Sequence, residues 1–218
     1  MISLTDYVVY WGCIQHSMTK AYSPSDFRYL EAIAAEYPAI ISVDLETTSL
    51  IPDTKQRAWQ AGMAYCIFNS NELAITKMQA TTYLPERYWD STTFKWMQAQ
   101  RTLSHYYKQA AELAETDAWR PVASILTAVS NLVAMLPTKP LLVINHPEFD
   151  MPLFDAHAPG ALRKMVGHRN VVDLQSVLLG RLNSTDRVRD YLKQFGAAQH
   201  VAADDAEFNI LALLGMKF

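Results

Sequence analysis

Two acidic residues, Asp44 and Glu46, stand at the end of a short, mostly apolar run at positions 40–43. The length and β-branched composition of this run are typical of a buried strand. Because side chains alternate along a strand, residues two positions apart point to the same side. Two carboxylates buried together are costly unless a cation neutralises them. The pair therefore predicts a divalent metal held by oxygen ligands at the end of a central strand, the alternative being a strand that runs into a solvated acidic loop.

Two further acidic positions could complete a metal cage, which needs acids from several elements. A second apolar strand is predicted at residues 141–145, and Asp150 follows its end. Asp205 lies at the predicted start of the C-terminal helix, five residues after His200. A neutral imidazole close to metal-bound water is a natural general base, because its ordinary pKa lies near neutral pH.

His168 and Asp173 form a competing pair with the same five-residue spacing. Their position separates them from His200 and Asp205, since they directly precede a predicted strand, whereas His200 lies beyond a further helix and begins a new one. We interpret Asp173 as a helix-capping or structural acid.

The elements that must position these residues follow from periodicity and turn signals. A helix should begin after the sequence Ser23-Pro24-Ser25-Asp26 and end before Pro38. Residues 61–68 and 73–78 read as a hairpin around a turn at 69–71. Helices are predicted at 92–105, 110–115, 122–135, 161–166, 174–182, 187–195 and 204–214, and a short strand at 170–174. A strand-rich first half followed by alternating helices and strands predicts a layered α/β domain.

The composition is that of a soluble globular protein of 218 residues, and it bounds the function classes. No apolar run approaches the ~20 residues that span a bilayer, and the N-terminus lacks the pattern of a signal peptide. Cys13 and Cys66 have no metal-ligand spacing. We therefore expect reduced thiols, a cytoplasmic location and no membrane association.

The charge is unevenly distributed along the chain. The net charge is −3, but the segment Arg163 to Lys193 holds seven basic and three acidic residues, so it carries +4 and the remainder −7. Such a segment suits a polyanion docked at one face. It could equally be one solvated helix surface.

Three stretches of the sequence together resemble a known family. Asp44-Leu45-Glu46-Thr47-Thr48, then Asn145 through Phe149-Asp150, then His200 through Asp205-Ala206 resemble, in order and spacing, the three exonuclease motifs of the DEDDh superfamily. The resemblance covers about residues 39–214 and implies an RNase H-like fold that removes nucleotides from 3′ ends. In addition, residues 93–100 are similar to a helix of small phage and bacterial exonucleases of the DexA and exonuclease VIII type, the alternative being an ordinary core helix.

The resemblance implies a role for each motif residue. Asp44, Glu46, Asp150 and Asp205 should bind two Mg²⁺ or Mn²⁺ ions, one to activate water and the other to stabilise the leaving 3′ oxygen. His200 should take the proton from the attacking water. Contacts with the substrate are implied for Thr47 and Leu50 at the terminal nucleotide, and Asn145 should orient the second motif.

The sequence also departs from the family pattern. Many relatives have Gly where this chain has Ser49, and the N-terminal 39 residues have no counterpart in the minimal family domain. The tyrosine variant of the superfamily would need Tyr four residues before Asp205, where this chain has Val201, so the histidine class is indicated.

We therefore expect an RNase H-like mixed β-sheet flanked by helices. Residues 39–218 should form the exonuclease domain, with an N-terminal helical extension, residues 1–38, packed on it. The predicted function is a metal-dependent 3′–5′ exonuclease on single-stranded nucleic acid, with DNA favoured over RNA. The alternatives are a 3′–5′ exoribonuclease of the same fold and a non-catalytic module that binds nucleic acid or a protein partner.

Overall fold

The run that ends in Asp44 and Glu46 forms a nine-residue strand inside a seven-stranded sheet. The computed structural model describes residues 6–10, 13–49, 57–68, 73–99, 119–195 and 200–217, with backbone only at 6–10, 13–17, 86 and 96–99. The strands are β1 (Asp6–Tyr10), β2 (Cys13–Tyr22), β3 (Ala39–Thr47), β4 (Ala58–Ile67), β5 (Leu73–Thr81), β6 (Leu141–Ile144) and β7 (Val171–Asp173). The helices are α1 (Leu30–Glu36), α2 (Ser91–Ala99), α3 (Arg120–Met135), α4 (Pro147–His157), α5 (Ala161–Val166), α6 (Leu174–Leu182), α7 (Thr185–Lys193) and α8 (Ala202–Leu214).

The strand order places β3 between an antiparallel and a parallel part of the sheet. The order is β1-β2-β5-β4-β3-β6-β7, in which β3, β6 and β7 pair in parallel and the other neighbours pair antiparallel. The predicted α/β fold, an RNase H-like mixed sheet flanked by helices, is confirmed. The predicted antiparallel unit of β3, β4 and β5 is confirmed as well, whereas its turn at 69–71 lies outside the described residues.

Helices cover both faces of the sheet because β3 is apolar on both sides. Ile40 belongs to a core cluster with residues of α6, α7 and α8. Ile41 and Val43, which point the opposite way, belong to a second cluster with residues of α3, α4 and α5. A strand buried on both faces reads as a continuous apolar run, as this one does.

The N-terminal segment differs in part from the expected helical extension. Its helix is confined to Leu30–Glu36, and β1 and β2 precede it. β2 pairs with β5 over nine residues, from Ile14 opposite Thr81 to Tyr22 opposite Leu73. This segment therefore continues the sheet. The sequence did not predict β2, because its residues alternate only weakly and its position depends on pairing with a distant strand.

Several predicted helices are shifted or only partly described. The apolar repeat in α3 buries Val122, Ile125 and Val129, as predicted. The last helix begins at Ala202, two residues earlier than expected, and α7 covers Thr185–Lys193 instead of residues 187–195. The predicted helix at 92–105 is described only as far as Ala99, and the one at 110–115 lies outside the described residues.

Asp150 follows the end of β6, but on a helix that the sequence analysis did not predict. Asp150 lies in the first turn of α4, which begins at Pro147 directly after His146. Proline at the first helical position has a backbone angle already suited to the helix, and its missing N–H has no helical partner there anyway. His146 has left-handed backbone geometry, with φ of 55°, and turns the chain from β6 into the helix.

Within the part of the chain that the structure describes, the helices are all too short or too polar to cross a membrane.

Candidate metal centre

Asp44 and Glu46 lie on the same face of β3, and each is paired with a residue of β4. Asp44 pairs with Gly62 and Glu46 pairs with Gln60. The register shifts between Glu46 and Thr47, so the strand ends in a bulge directly after the second acid. Such irregularities redirect side chains at the edge of a sheet.

Gly62 allows the last helix to approach the sheet. A Cβ atom at this position would lie 2.2 Å from the carbonyl carbon of Ala202 and 2.2 Å from the nitrogen of Ala203. Contacts this short involve backbone atoms that cannot rotate away, so any larger residue would displace the start of α8. The buried Gln60 side chain also fixes the start of α8, because its Oε1 accepts a hydrogen bond of 2.8 Å from the Ala202 N–H. The first turn of α8 thereby brings Asp205 close to the acids of β3.

Asp150 is tied to β3 by its own hydrogen bond. The Leu45 N–H donates to Asp150 Oδ1 over 3.1 Å, and both groups are buried. A second bond, from Asn209 Nδ2 to Ser42 Oγ at 3.2 Å, connects α8 to β3. Three elements distant in sequence are thus fixed around the end of one strand.

The four carboxylates lie close enough to repel one another. Burial and the charge of Asp150 raise the pKa of Asp44, and burial with the charges of Asp44, Asp205 and Asp150 raises the pKa of Glu46. Burial also raises the pKa of Asp150, although the Leu45 N–H opposes the shift.

Asp205 follows the same pattern. Burial, followed by the charges of Asp44 and Asp204, raises the pKa of Asp205 to about 8. The acids disfavour one another's ionisation, and a bound cation would relieve this repulsion.

His200 completes the cluster. It directly precedes Val201, the N-cap residue of α8. Its Nδ1 lies 3.9 Å from Glu46 Oε1, and burial lowers the pKa of the imidazole, so the ring is neutral at pH 7. Its φ of 47° is uncommon for a residue other than glycine. Ligand atoms of Glu46, His200 and Asp205 lie within 4.8 Å of one another, so this group could hold a metal ion.

These residues line one cleft of about 310 Å³. The cleft brings together the four predicted carboxylates, His200, Thr47 and Asn145. Thr47 Oγ1 donates to the Ser49 carbonyl at 2.7 Å. The Oδ1 atom of Asn145 is buried and accepts no hydrogen bond from the described residues. Leu50, the remaining predicted contact, lies outside the described residues.

Aromatic residues form much of the cleft wall, and the sequence reasoning did not assign them a role. Phe149, Phe195 and Phe208 line it together with Leu192 and His146. Phe208 could have been found, because it follows Asp205 by three residues and therefore shares its helix face. Phe195 has no comparable local signal, since no predicted site residue lies within one helical turn of it in the sequence.

The helix with the second family resemblance begins at the cleft. Thr93 in the first turn of α2 is buried and lines the cleft. Asp90 caps this turn, with its Oδ1 accepting hydrogen bonds from the N–H groups of Thr92 and Thr93. The Asp90 N–H in turn donates to the Thr48 carbonyl at 3.0 Å, which connects α2 to the end of β3. The side chains at 96–100 lie outside the described residues.

The competing pair, His168 and Asp173, lies elsewhere. Asp173 caps α6 by accepting a hydrogen bond of 3.0 Å from the Gln175 N–H, and Ser176 Oγ also donates to it. The predicted capping role is confirmed. Neither residue lines the acidic cleft.

The basic segment does not form a single face. Arg163 and Lys164 belong to α5, which packs with the core on the Ile41 side of the sheet, whereas α6 and α7 pack on the Ile40 side. On α7, Arg189 pairs with Asp186 at 2.9 Å and Lys193 with Asp190 at 3.5 Å, all well exposed. The basic residues of this segment are therefore spread over helices on both sides of the sheet, and the two interpretations of the segment stay predictions.

An ion-pair network holds α8 to the outer part of the sheet. Lys77 of β5 contacts Asp204 and, at 2.6 Å, Glu207, while the Tyr22 hydroxyl donates to Glu207. Burial alone would lower the pKa of Lys77, but the hydrogen bonds to the two acids raise it. This network supports the helix that carries Asp205 and involves the N-terminal strand β2.

No protein-family model and no curated protein matches this chain.

Proposed function

We propose that this protein is a metal-dependent 3′–5′ exonuclease that acts on single-stranded nucleic acid, with DNA as the favoured substrate. The observation that carries the proposal is the convergence of four carboxylates and one neutral histidine in one cleft. The carboxylates come from β3, α4 and α8, and His200 lies shortly before α8. This is the chain order of the three motifs on which the DEDDh resemblance rests. Many folds host unrelated activities, so the argument depends on this site and not on the sheet.

The donor set fits hard divalent cations. Asp44, Glu46, Asp150 and Asp205 supply oxygen atoms, and no cysteine is among the described residues of the cleft. A cation with its hydration water would relieve the repulsion that helps to raise their pKa values, and would bind the Oδ1 of Asn145, which has no hydrogen-bond partner among the described residues. We propose that these four acids hold two Mg²⁺ or Mn²⁺ ions. When bound, the ions supply Lewis-acid activation of water and neutralise charge on the phosphate.

His200 is suited to be the general base. Burial lowers its pKa, so the imidazole is neutral and can accept a proton from the attacking water. Once protonated, the ring has Glu46 Oε1 3.9 Å from its Nδ1, and this carboxylate stabilises the imidazolium. His200 could instead serve as a metal ligand together with Glu46 and Asp205. Loss of a ligand would weaken metal binding, whereas loss of a general base would leave it intact.

The walls of the cleft favour an unpaired strand. Phe149 is 41% exposed and offers aromatic surface on which a base can stack, and the buried Phe195 and the partly buried Phe208 pack in the same wall. Bases in a duplex are already stacked and paired, so a stacking wall selects single strands. Thr47 and Asn145 provide polar groups for the terminal nucleotide.

The experiment is digestion of matched DNA and RNA single strands labelled at the 5′ end, with Mg²⁺, with Mn²⁺ and with excess chelator. We expect stepwise shortening from the 3′ end that requires metal, faster on DNA. Faster shortening of RNA would make the protein an exoribonuclease. Binding of the strands without shortening in any metal would favour the non-catalytic module, and full activity in chelator would refute the two-metal site.

A further inference from the structure

A second cavity, the cationic pocket, lies at the other end of α8. It measures about 280 Å³ and is lined by Arg28, Arg181 and Lys217. Among the described residues that line it there is no acidic side chain. Three cations around one cavity with no lining acid repel one another unless an anion enters.

Arg181 is held in place at the base of this pocket. Its guanidinium carbon lies 3.8 Å from the centre of the Tyr29 ring, and its Nη1 donates to the Leu213 carbonyl at 2.7 Å. A guanidinium that stacks on an aromatic ring keeps its N–H edge available for a phosphate or carboxylate. Within the described part of the chain, Arg181 forms no ion pair, and neither does the exposed Arg28.

The cationic pocket and the acidic cleft are lined by neighbouring residues of the same two helices. At the end of α7, Leu192 and Phe195 line the cleft, whereas Tyr191 and Gln194 line the pocket. Along α8, Asp205 lies in the cleft and Gly215 in the pocket, ten residues apart, which corresponds to about 15 Å of helix.

The acidic cleft has few means of its own to hold the rest of a substrate. No Lys or Arg is among the described residues that line it. Phosphates beyond the metal centre would therefore meet no cation among the described residues of the cleft. The cationic pocket, which α7 and α8 also line, supplies three.

We propose that the cationic pocket binds a phosphate group and, on the basis of the proposed exonuclease function, that this phosphate belongs to the substrate strand upstream of its 3′ end. The strand would pass from the cleft over the end of α7. Phosphate contacts of this kind position a strand and give binding its salt dependence, without reading its sequence.

The first arm of the test measures phosphate directly, without metal or catalysis. Inorganic phosphate is titrated into the protein while the ring signals of Tyr29 and Tyr191 are followed by NMR. Saturable shifts are expected in the wild type and should be lost in the Arg28→Glu/Lys217→Glu double variant. The control is Arg169→Glu, an exposed cation outside both cavities, which should behave as wild type. Absence of any saturable shift in the wild type would overturn the pocket.

The second arm tests the source of the phosphate with labelled single strands of increasing length, bound in Ca²⁺. The double variant should bind long strands about tenfold more weakly, with a salt slope reduced by about 0.7 for each lost contact. A dinucleotide, too short to reach the pocket, should bind equally to both proteins. Unchanged affinity for long strands, alongside intact binding of inorganic phosphate, would overturn the assignment to the substrate strand. Both arms measure binding and neither needs cleavage. Their results could therefore be interpreted even if the exonuclease assay showed no activity.

Discussion

At the scale of single residues, His200 combines an uncommon backbone angle with a lowered pKa next to a buried carboxylate. If it is the general base, His200→Ala should lower kcat by about 10²–10⁴-fold, the usual contribution of a positioned base. Binding of Mn²⁺ should survive, because the four carboxylates remain. Loss of metal binding in this variant would instead make His200 a ligand.

The pH–rate profile provides an independent reading of the same residue. A protonated imidazole cannot accept a proton, so the rate should fall as pH drops through the pKa of His200. Since burial lowers that pKa, the fall should occur below the ordinary value of about 6.5. The acidic limb should disappear in His200→Ala. His168→Ala, the control with the same residue type outside the cleft, should keep both the rate and the limb; an inactive His168 variant beside an active His200 variant would reverse the assignment.

The buried carboxylates predict how stability depends on pH without metal. A carboxyl whose pKa is raised by folding binds more protons in the native state than in the unfolded state, so stability falls as pH rises between the two pKa values. For Asp205 this interval runs from its ordinary value near 4 to about 8. Each unit of pKa difference corresponds to about 1.4 kcal/mol.

Asp205→Asn should therefore abolish activity yet raise the free energy of unfolding at pH 8 in chelator. Denaturant unfolding at pH 5 and pH 8 measures this, and the variant should show the smaller difference between the two pH values. A variant that is less stable than the wild type at pH 8 would mean that the Asp205 carboxylate contributes stability in the metal-free protein, contrary to the pKa argument.

At the scale of elements, the approach of α8 to β4 decides whether the cluster forms. Gly62→Ala places a Cβ atom against the backbone of Ala202 and Ala203, so the start of α8 must move. We expect a loss of about 1–3 kcal/mol in unfolding free energy, as in other overpacked sites, and a large loss of metal affinity. Urea unfolding and Mn²⁺ titration measure the two effects.

The matched control is Gly180→Ala. This glycine lies within α6, and an added Cβ atom there meets nothing within 4 Å. Alanine is favoured over glycine inside a helix, so this variant should gain about 0.5–1 kcal/mol and keep full metal affinity. If Gly62→Ala also kept wild-type stability and affinity, the close approach would not be what positions Asp205.

The sequence predicts the parts of this arrangement that depend on neighbouring residues, and it misses those that depend on contacts between distant residues. The apolar run before Asp44 and the apolar repeat of α3 are local patterns, and both predicted their elements. The contact between Gly62 and Ala202 joins residues 140 positions apart, so no local pattern reveals it. The helix that carries Asp150 was not predicted, because the polar stretch after β6, with Pro147 and Pro152, resembles a loop, although Pro147 is compatible with a first helical turn.

At the scale of the whole molecule, the N-terminal strands support the site from a distance. β2 covers the edge of β5, and Tyr22 contacts Glu207 of α8, which also binds Lys77. Deletion of residues 1–22 should expose that edge, lower the urea midpoint and promote self-association. Tyr22→Phe is the milder comparison, since it removes one hydrogen bond to a charged group and should cost about 1.5–3 kcal/mol. A truncated protein that stays monomeric with an unchanged midpoint would contradict this role.

The central claim is that four carboxylates from β3, α4 and α8 exist together to hold divalent metal. Calorimetric titration of Mn²⁺ into the metal-free protein tests it most directly, since it does not depend on the choice of substrate. We predict two ions per chain in the wild type, and loss of at least one in Asp44→Asn, Asp150→Asn and Asp205→Asn. No saturable binding in the wild type, or binding unchanged in all three variants, would contradict the claim.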